Sequence, residues 1–230
     1  ESLKITPNFS DALFNMGNSL AFSGPNLDAL GYLDAAILYA PDHVAARAVR
    51  MRMKAEICEW DSYAEDVEWL RLNPNSARHT SPFGMLPFYE TAKLQYDHAI
   101  AFSQYNYPIE DSAVVFESSR GKSKIRVAYV SGDYQKHPVS YLMQSVLEKH
   151  DRFRFEIYGV SLKTFSDEMT KKIENSVDKY IDLGGNSDEE AISILRAMEI
   201  DIAVDLTGNT KEGRPKLFHK RISPIQISYL

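Results

Sequence analysis

The spacing of apolar residues changes near the middle of the chain. In the first half they recur every three or four positions, as at Leu13, Met16 and Leu20, which is the spacing of an amphipathic helix. Beyond Lys124, short β-branched and aromatic runs such as Ile125 to Val130 alternate with helical stretches. The pattern therefore predicts a helical region followed by an α/β region with a mostly parallel sheet.

The helical region has an internal period. Pro7 and Pro41 lie 34 residues apart, which is the length of a tetratricopeptide repeat. Gly17 and Ala29 then occupy small-residue positions that let the two helices of one repeat approach closely. Because one such hairpin cannot bury its apolar face alone, we assign residues 1–58 to one full repeat and parts of its neighbours. The apolar residues of this stretch are expected to pack in a core rather than bind peptides.

Residues 59–123 form a looser connecting region. The pattern predicts two helices and a linker there, at residues 61–72, 89–101 and 106–123. His79 and His98 fall in this region without a second ligand at metal spacing. We therefore expect each of them to be a packing or surface residue.

From residue 124 onwards, strands and helices alternate. Predicted strands cover residues 125–130, 155–160, 180–183 and 202–206, and predicted helices cover residues 140–150, 167–177 and 188–198. Ser187 and Glu190 form a capping-box pattern before the last helix, and the final run PIQISYL is strand-like. Because ligands of parallel sheets bind beyond the carboxyl ends of the strands, two polar loops are of interest, at residues 131–138 and 207–213.

The first polar loop contains the histidine best placed for chemistry. His137 stands between a strand's carboxyl end and the start of a helix, and histidine titrates near neutral pH, so it is a candidate general base. The first N–H groups of that helix can also face an anion. The alternative reading is a surface histidine at a helix start, with Asp133 as a turn-forming residue beside Gly132.

The second polar loop offers hydroxyl and amide groups. Asp205 ends a strand, and four polar residues follow it closely: Thr207, Asn209, Thr210 and Lys211. Such side chains can donate hydrogen bonds to a sugar or a phosphate, although the same run is equally typical of a plain turn with a capped helix after it. Neither loop has the glycine spacing of a dinucleotide-binding motif or of a P-loop.

Composition narrows the class of protein. An apolar fraction of 44% and a charged fraction of 25% are ordinary for a globular protein. The net charge of -6 argues against nucleic acid and against an anionic membrane surface as partners. Cys58 is the single cysteine, which excludes an internal disulfide and fits a reducing, cytoplasmic location. No apolar run approaches the roughly 18 residues that a membrane helix needs.

Three segments together resemble one enzyme family. They are YVSGDYQKHPVSYLMQSVLEKHDRFRFEIYGVS, DIAVDLTGNTKEGRPKLFHKRISPIQISYL and CEWDSYAEDVEWL. The family is that of the O-linked N-acetylglucosamine transferases, which includes SPINDLY-like and bacterial members, and the resemblance covers essentially the whole chain. It implies tetratricopeptide repeats, connecting helices and then, over residues 124–230, the first Rossmann-like lobe of a GT-B-type glycosyltransferase.

The resemblance also implies an activity. It is the inverting transfer of N-acetylglucosamine from UDP-N-acetylglucosamine to Ser or Thr hydroxyls of acceptor proteins, with a nucleotide-sugar donor and no metal or other cofactor. On the family's pattern, His137 faces the donor sugar and diphosphate as a candidate general base, and Asp205 to Lys211 line the same cleft. Asp133 and Tyr141 complete the expected substrate-binding set. Neither nucleic acid nor a membrane is an expected partner.

Two positions depart from the family's pattern. Tyr141 stands where animal members have a second histidine, and Asn209 stands where Tyr or His is frequent, which bears on acceptor or sugar preference. Because the chain lacks an initial Met and stops before the second lobe that binds the nucleotide in relatives, we expect a piece of a longer protein, inactive by itself. The alternatives are a transferase that uses GDP-fucose or UDP-glucose or modifies Asn, and a non-catalytic tetratricopeptide interaction protein.

Overall fold

The structure, a computed structural model, describes residues 2–22, 24, 26–108, 114–116, 123–210 and 212–229. The chain divides into two compact units, Glu1–Pro108 and Ile109–Leu230. The first unit is helical and the second is a parallel sheet covered by helices, so the predicted α plus α/β fold class is confirmed. The finer division into residues 1–58, 59–123 and 124–230 stays a prediction, and most of the predicted linker lies outside the described residues.

The described part of the first unit is built from helices. Their bounds are α1 Ser2–Ile5, α2 Ser10–Phe22, α3 Leu27–Tyr39, α4 Val44–Glu56, α5 Tyr63–Leu72 and α6 Ala92–Asn106, with short 3-10 helices at Pro74–His79 and Phe83–Phe88. The sequence pattern did not predict the two 3-10 helices. Helix α6 starts three residues later than expected because the Thr91 hydroxyl oxygen accepts the Leu94 N–H and caps the helix there.

Helices α2 and α3 form a closely packed hairpin. A Cβ atom added to Gly17 would lie 2.8 Å from Leu33 Cγ and 3.1 Å from the Ala29 carbonyl oxygen. Leu33 and Ala29 are fully buried in this contact, as the small-residue pattern predicts. Met16, which the periodicity placed among the packed residues, is instead exposed. The tetratricopeptide identity of the hairpin stays a prediction.

The second unit alternates strands and helices. Their bounds are β1 Ile125–Ser131, α7 Pro138–Glu148, β2 Phe155–Ser161, α8 Glu168–Asn175, β3 Lys179–Asp182, α9 Asp188–Ala197, β4 Ile202–Asp205, α10 Pro215–His219 and β5 Ile225–Ser228. In the described residues the strand order is β3-β2-β1-β4-β5, and every pair is parallel. The predicted strands and their parallel pairing are present, and α10 lies where the plain-turn reading of the second loop expected a helix.

Local sequence signals explain where two of these helices begin. Ser187 accepts the Glu190 N–H while the Glu190 carboxylate accepts the Ser187 N–H, so the predicted capping box before α9 is confirmed. Helix α7 begins at Pro138, two residues before the predicted start, because proline at the first helical position has the required φ and needs no donor partner. His137 is therefore the N-cap residue of α7.

The sheet is covered on both faces. Helices α7 and α8 contribute Met143, Leu147 and Ile173 to a buried cluster with Val127 and Ile157 of the sheet. On the other face, residues of α9 and α10 pack against the alternate positions of β1, β2 and β4. This burial on both faces explains why the strands are continuous apolar runs rather than alternating ones. Within the described residues, no helix is long and apolar enough to cross a membrane.

Candidate active site

The strand order places both polar loops beside each other. Strands β1 and β4 are neighbours at the centre of the sheet. From β1 the chain continues to β2, towards one edge of the sheet, and from β4 it continues to β5, towards the opposite edge. Ligands of open parallel sheets bind in the crevice at such a reversal, beyond the carboxyl ends of the two central strands. The loop after β1 and the loop after β4, which were selected for their polar composition and their position after predicted strands, flank this crevice.

Hydrogen bonds from buried side chains hold the loop after β1. The Asp133 N–H donates to Ser131 Oγ over 3.1 Å, and the Asp133 carbonyl oxygen accepts Ser140 Oγ over 2.7 Å. Tyr134 is fully buried and its hydroxyl donates to the Tyr129 carbonyl oxygen over 2.9 Å. The backbone that carries Asp133 and leads to His137 is therefore fixed by contacts to both β1 and α7.

The two loops contact each other directly at Gly132. Its N–H donates to Thr207 Oγ1 over 2.8 Å, and both residues are buried. A Cβ atom at this position would lie 2.6 Å from the Glu212 carbonyl oxygen, closer than real Cβ contacts occur. Glycine is therefore required here by the approach of the second loop.

The loop after β4 uses most of its polar groups for its own fold. Asp205 Oδ1 accepts the N–H groups of Thr207 and Gly208 over 3.0 and 2.9 Å, and Thr210 Oγ1 donates to the Thr207 carbonyl oxygen over 2.9 Å. Gly208 has a φ of 57°, which favours glycine at this turn. Asn209 and Thr210 are exposed, whereas Lys211 lies outside the described residues.

His137 has two neighbours that both approach Nδ1. The Val139 N–H donates to Nδ1 over 3.4 Å, and Asp133 Oδ1 lies 3.9 Å from the same atom. The His137 side chain is 40% exposed, whereas the Asp133 side chain is 12% exposed. Burial raises the pKa of Asp133, His137 and Lys163 oppose this change, and Glu212 adds to it.

The start of α7 offers fewer N–H groups to an anion than the sequence suggested. Pro138 has no N–H, the Val139 N–H donates to the His137 ring, and the Tyr141 N–H donates to the His137 carbonyl oxygen over 3.3 Å. Three of the first four residues of α7 therefore have no N–H group available to bind an anion. Tyr141 itself lies one turn after His137 with its side chain exposed, so its ring faces away from the core.

Two charged residues near Asp133 were missed by the sequence analysis. Lys163 follows the carboxyl end of β2 and forms an ion pair with Glu212 of the loop after β4. Both residues also act electrostatically on Asp133. Lys163 could have been found by the rule that selected the other two loops, since it also follows a strand's carboxyl end. Within the described ranges, no group of three or more His, Cys, Asp or Glu side chains is arranged to hold a metal.

Comparison with known proteins identifies the family of this α/β unit. The family model of glycosyl transferase family 41 matches residues 94–230, more than half of the chain. The chain belongs to glycosyl transferase family 41. This result confirms the O-linked N-acetylglucosamine transferase resemblance, and it includes both polar loops.

Individual relatives agree with the family match. The chain is 32% identical over 111 residues to Probable UDP-N-acetylglucosamine–peptide N-acetylglucosaminyltransferase SEC of Arabidopsis thaliana, covering 48% of this chain and 11% of that protein. It is 26% identical over 191 residues to the UDP-N-acetylglucosamine–peptide N-acetylglucosaminyltransferase of Caenorhabditis elegans, covering 76% of this chain and 17% of that protein. The chain thus spans less than a fifth of the length of these curated relatives.

A solved structure shows the same fold. A mutant of the Thermobaculum terrenum O-GlcNAc transferase aligns with 99% of this chain and 45% of its own chain, at a TM-score of 0.69 and 24% sequence identity. At that identity the likeness concerns the fold. It agrees with the α plus α/β class derived from the sequence.

Proposed function

We propose that the protein carrying this chain is an inverting protein O-glycosyltransferase that transfers N-acetylglucosamine from UDP-N-acetylglucosamine to Ser or Thr hydroxyls. The observation that carries the proposal is the position of His137, an N-cap residue at the β1/β4 crevice in a chain of glycosyl transferase family 41. The names of the relatives from Arabidopsis and Caenorhabditis support the donor and the peptide acceptor.

The proposed reaction is a displacement at the anomeric carbon. The acceptor hydroxyl oxygen forms a bond to C1 of the sugar, the bond from C1 to the diphosphate oxygen breaks, and UDP leaves with the electron pair. The hydroxyl proton moves to Nε2 of His137, which is the catalytic residue in this proposal. The fixed loop backbone and the N-cap position place His137 at the edge of the crevice, so the acceptor can be oriented before reaction.

The other predicted site residues divide into two groups. Tyr141 and Asn209 have exposed side chains, and we propose that they contact the acceptor or the sugar. Asp205, Thr207 and Thr210 act through the shape of the loop that they stabilise. Lys211, which lies outside the described residues, stays a substrate-binding candidate on its sequence position. The proposal uses a nucleotide-sugar donor and no metal, and we place the protein in the cytoplasm.

Transfer of labelled sugar tests this function. Full-length protein is incubated with labelled UDP-N-acetylglucosamine and a mixture of acceptor proteins in the presence of EDTA, with labelled GDP-fucose and UDP-glucose in parallel. We expect label on protein from the first donor alone, unaffected by EDTA and released by alkaline β-elimination, because O-linked sugars on Ser and Thr undergo that elimination. Preferential use of another donor, loss of transfer in EDTA, or label that resists alkali would each contradict the proposal.

Two further outcomes distinguish the alternatives. The 230-residue chain assayed by itself should give no transfer, since the proposal assigns nucleotide binding to a second lobe. Absence of transfer by full-length protein with any of the three donors would instead favour a non-catalytic interaction protein. The presence of His137 and of the Asp205–Thr207 turn after β4 favours the active reading.

A further inference from the structure

We propose that Asp133 is a positioning residue that selects the tautomer of His137 whose Nε2 can accept a proton. The inference rests on the proposed function, because it concerns how the suggested general base is prepared. Its evidence is the arrangement around a single ring atom, Nδ1 of His137, which both Asp133 and Val139 approach.

The two neighbours of Nδ1 require opposite protonation states. The Val139 N–H is a donor, so in the neutral ring it requires a lone pair on Nδ1 and leaves the proton on Nε2. The Asp133 carboxylate is an acceptor, so it requires the proton on Nδ1 and leaves the lone pair on Nε2. Only the second arrangement allows Nε2 to take the proton of an acceptor hydroxyl.

The distances show that neither arrangement is fully formed. The contact of 3.4 Å from the Val139 nitrogen is longer than an ordinary hydrogen bond, and the 3.9 Å to Asp133 Oδ1 is within ion-pair distance but beyond hydrogen-bond distance. A small rotation of the half-exposed His137 ring therefore decides which contact forms. His137 is the movable partner in this pair.

Asp133 is the fixed partner. Its backbone is held by Ser131 and Ser140 on either side, and its side chain is mostly buried. The preceding Gly132 is in turn held by Thr207. The Asp133 carboxylate therefore has little freedom to follow the ring, and it acts as the fixed acceptor towards which Nδ1–H can turn.

Two further charged groups, Lys163 and Glu212, act on Asp133 with opposite signs. Lys163 approaches from the end of β2, and Glu212 approaches from the loop after β4, and these two form an ion pair with each other. Burial raises the pKa of Asp133, so a donor on His137 Nδ1 compensates for the lost hydration of the carboxylate. After proton transfer, the imidazolium would carry Nδ1–H towards Asp133, which stabilises the positive charge that forms.

Imidazole ¹⁵N NMR measures the tautomer directly and needs no substrate. The 230-residue chain contains six histidines, and the His137→Asn variant assigns the His137 signals while keeping an N-cap side chain. At about pH 8, where a free histidine is neutral, we expect the wild-type His137 to carry its proton mainly on Nδ1. In Asp133→Asn, whose amide can donate to Nδ1, the proton should move to Nε2.

Glu168→Gln is the matched charge control. Glu168 is an acidic residue near the same loop, paired with Lys136 at 3.7 Å, with a side chain that is 85% exposed. Its substitution should leave the tautomer unchanged. A wild-type ring protonated on Nε2, or the same tautomer in wild type and Asp133→Asn, would overturn the inference. The wild-type result requires only the assignment of the His137 signals.

Kinetics then connect the tautomer to the reaction. In the full-length protein, Asp133→Asn should lower kcat by about 10²-fold, as expected for a general base lost in most molecules, with a change in KM below about threefold. If the His137 proton moves to Nε2 in Asp133→Asn but kcat stays unchanged, the tautomer does not matter for catalysis and that part of the inference is overturned. Failure of the proposed function appears separately, as absence of transfer by the wild type.

Discussion

His98 and His137 are histidines in different units, and their surroundings differ in a way that separates packing from chemistry. His98 is buried, its Nδ1 lies 2.7 Å from the Tyr89 hydroxyl and its Nε2 lies 3.0 Å from the Thr80 carbonyl oxygen. Each ring nitrogen of His98 therefore has one partner. At His137 two partners of opposite character share Nδ1, and the ring is half exposed.

The comparison contrasts a ring with one partner at each nitrogen and a ring with two partners at the same nitrogen. A neutral ring satisfied on both sides has one stable tautomer and resists protonation, which suits a core. A ring with competing partners can change its tautomer, which suits proton transfer. The predictions below test this contrast, beginning with the largest expected change in stability.

His98→Ala should destabilise the helical unit by about 2 to 4 kcal/mol. The substitution leaves the Thr80 carbonyl and the Tyr89 hydroxyl without their partner and opens a cavity. His79→Ala, at an exposed histidine of the same unit, is the control and should stay within about 1 kcal/mol. Urea unfolding followed by tryptophan fluorescence measures both, because both tryptophans, Trp60 and Trp69, lie in the helical unit.

Gly132→Ala should destabilise the α/β unit by about 1 to 3 kcal/mol, because the new methyl group would meet the Glu212 backbone. Gly185→Ala is the matched control, since nothing lies within 4 Å of the added Cβ atom there. Hydrogen exchange of the β1 and β4 amides measures the difference in stability between the two variants. Equal protection in the two variants would mean that the loops do not approach as closely as described.

Thr207→Val should lower the free energy of unfolding of the α/β unit by about 1 to 2 kcal/mol, because the buried Gly132 N–H loses its acceptor. The shape of the side chain is nearly unchanged. Thr210→Val removes a hydroxyl at an exposed position of the same loop and should cost clearly less. If both substitutions lowered the free energy of unfolding equally, the hydrogen bond from Gly132 to Thr207 would not be what joins the two loops.

The pH dependence of the stability of the helical unit should show whether His98 binds a proton in the folded state. Burial lowers the pKa of His98, although the bond to Thr80 opposes this change. Below the ordinary histidine pKa of about 6.5, the unfolded chain therefore binds a proton that the folded unit does not. Stability should fall as the pH decreases from 7 to 5, by no more than about 1.4 kcal/mol per pH unit, and the slope should be smaller in His98→Gln. Identical slopes would show that His98 is protonated in the folded unit.

Local patterns in the sequence predicted much of this fold. The close approach at Gly17, the capping box at Ser187 and the parallel strands followed from residue spacing and side-chain size. The 3-10 helices did not, because such short elements have no periodic signal. Met16 was misplaced because helical spacing alone does not show which positions a neighbouring element covers.

The candidate site was predicted in part for a similar reason. The position of His137 at a strand's carboxyl end follows from local sequence, whereas the strand order that places β4 next to β1 depends on distant residues. The bond from Gly132 to Thr207 joins residues 75 positions apart, and no local pattern indicates it. For the same reason Glu212 was missed beside Asp133, whereas Lys163 follows the carboxyl end of β2 and could have been found from the sequence.

Sugar transfer by His137 variants of the full-length protein tests the central claim most directly. His137→Asn keeps an N-cap side chain and removes the imidazole, while His137→Ala removes both. The account predicts that both variants lose about 10² to 10⁴-fold in kcat, with His137→Asn unfolding at the same urea concentration as the wild type. A His137→Asn variant that transfers N-acetylglucosamine within about threefold of the wild-type rate would contradict the account.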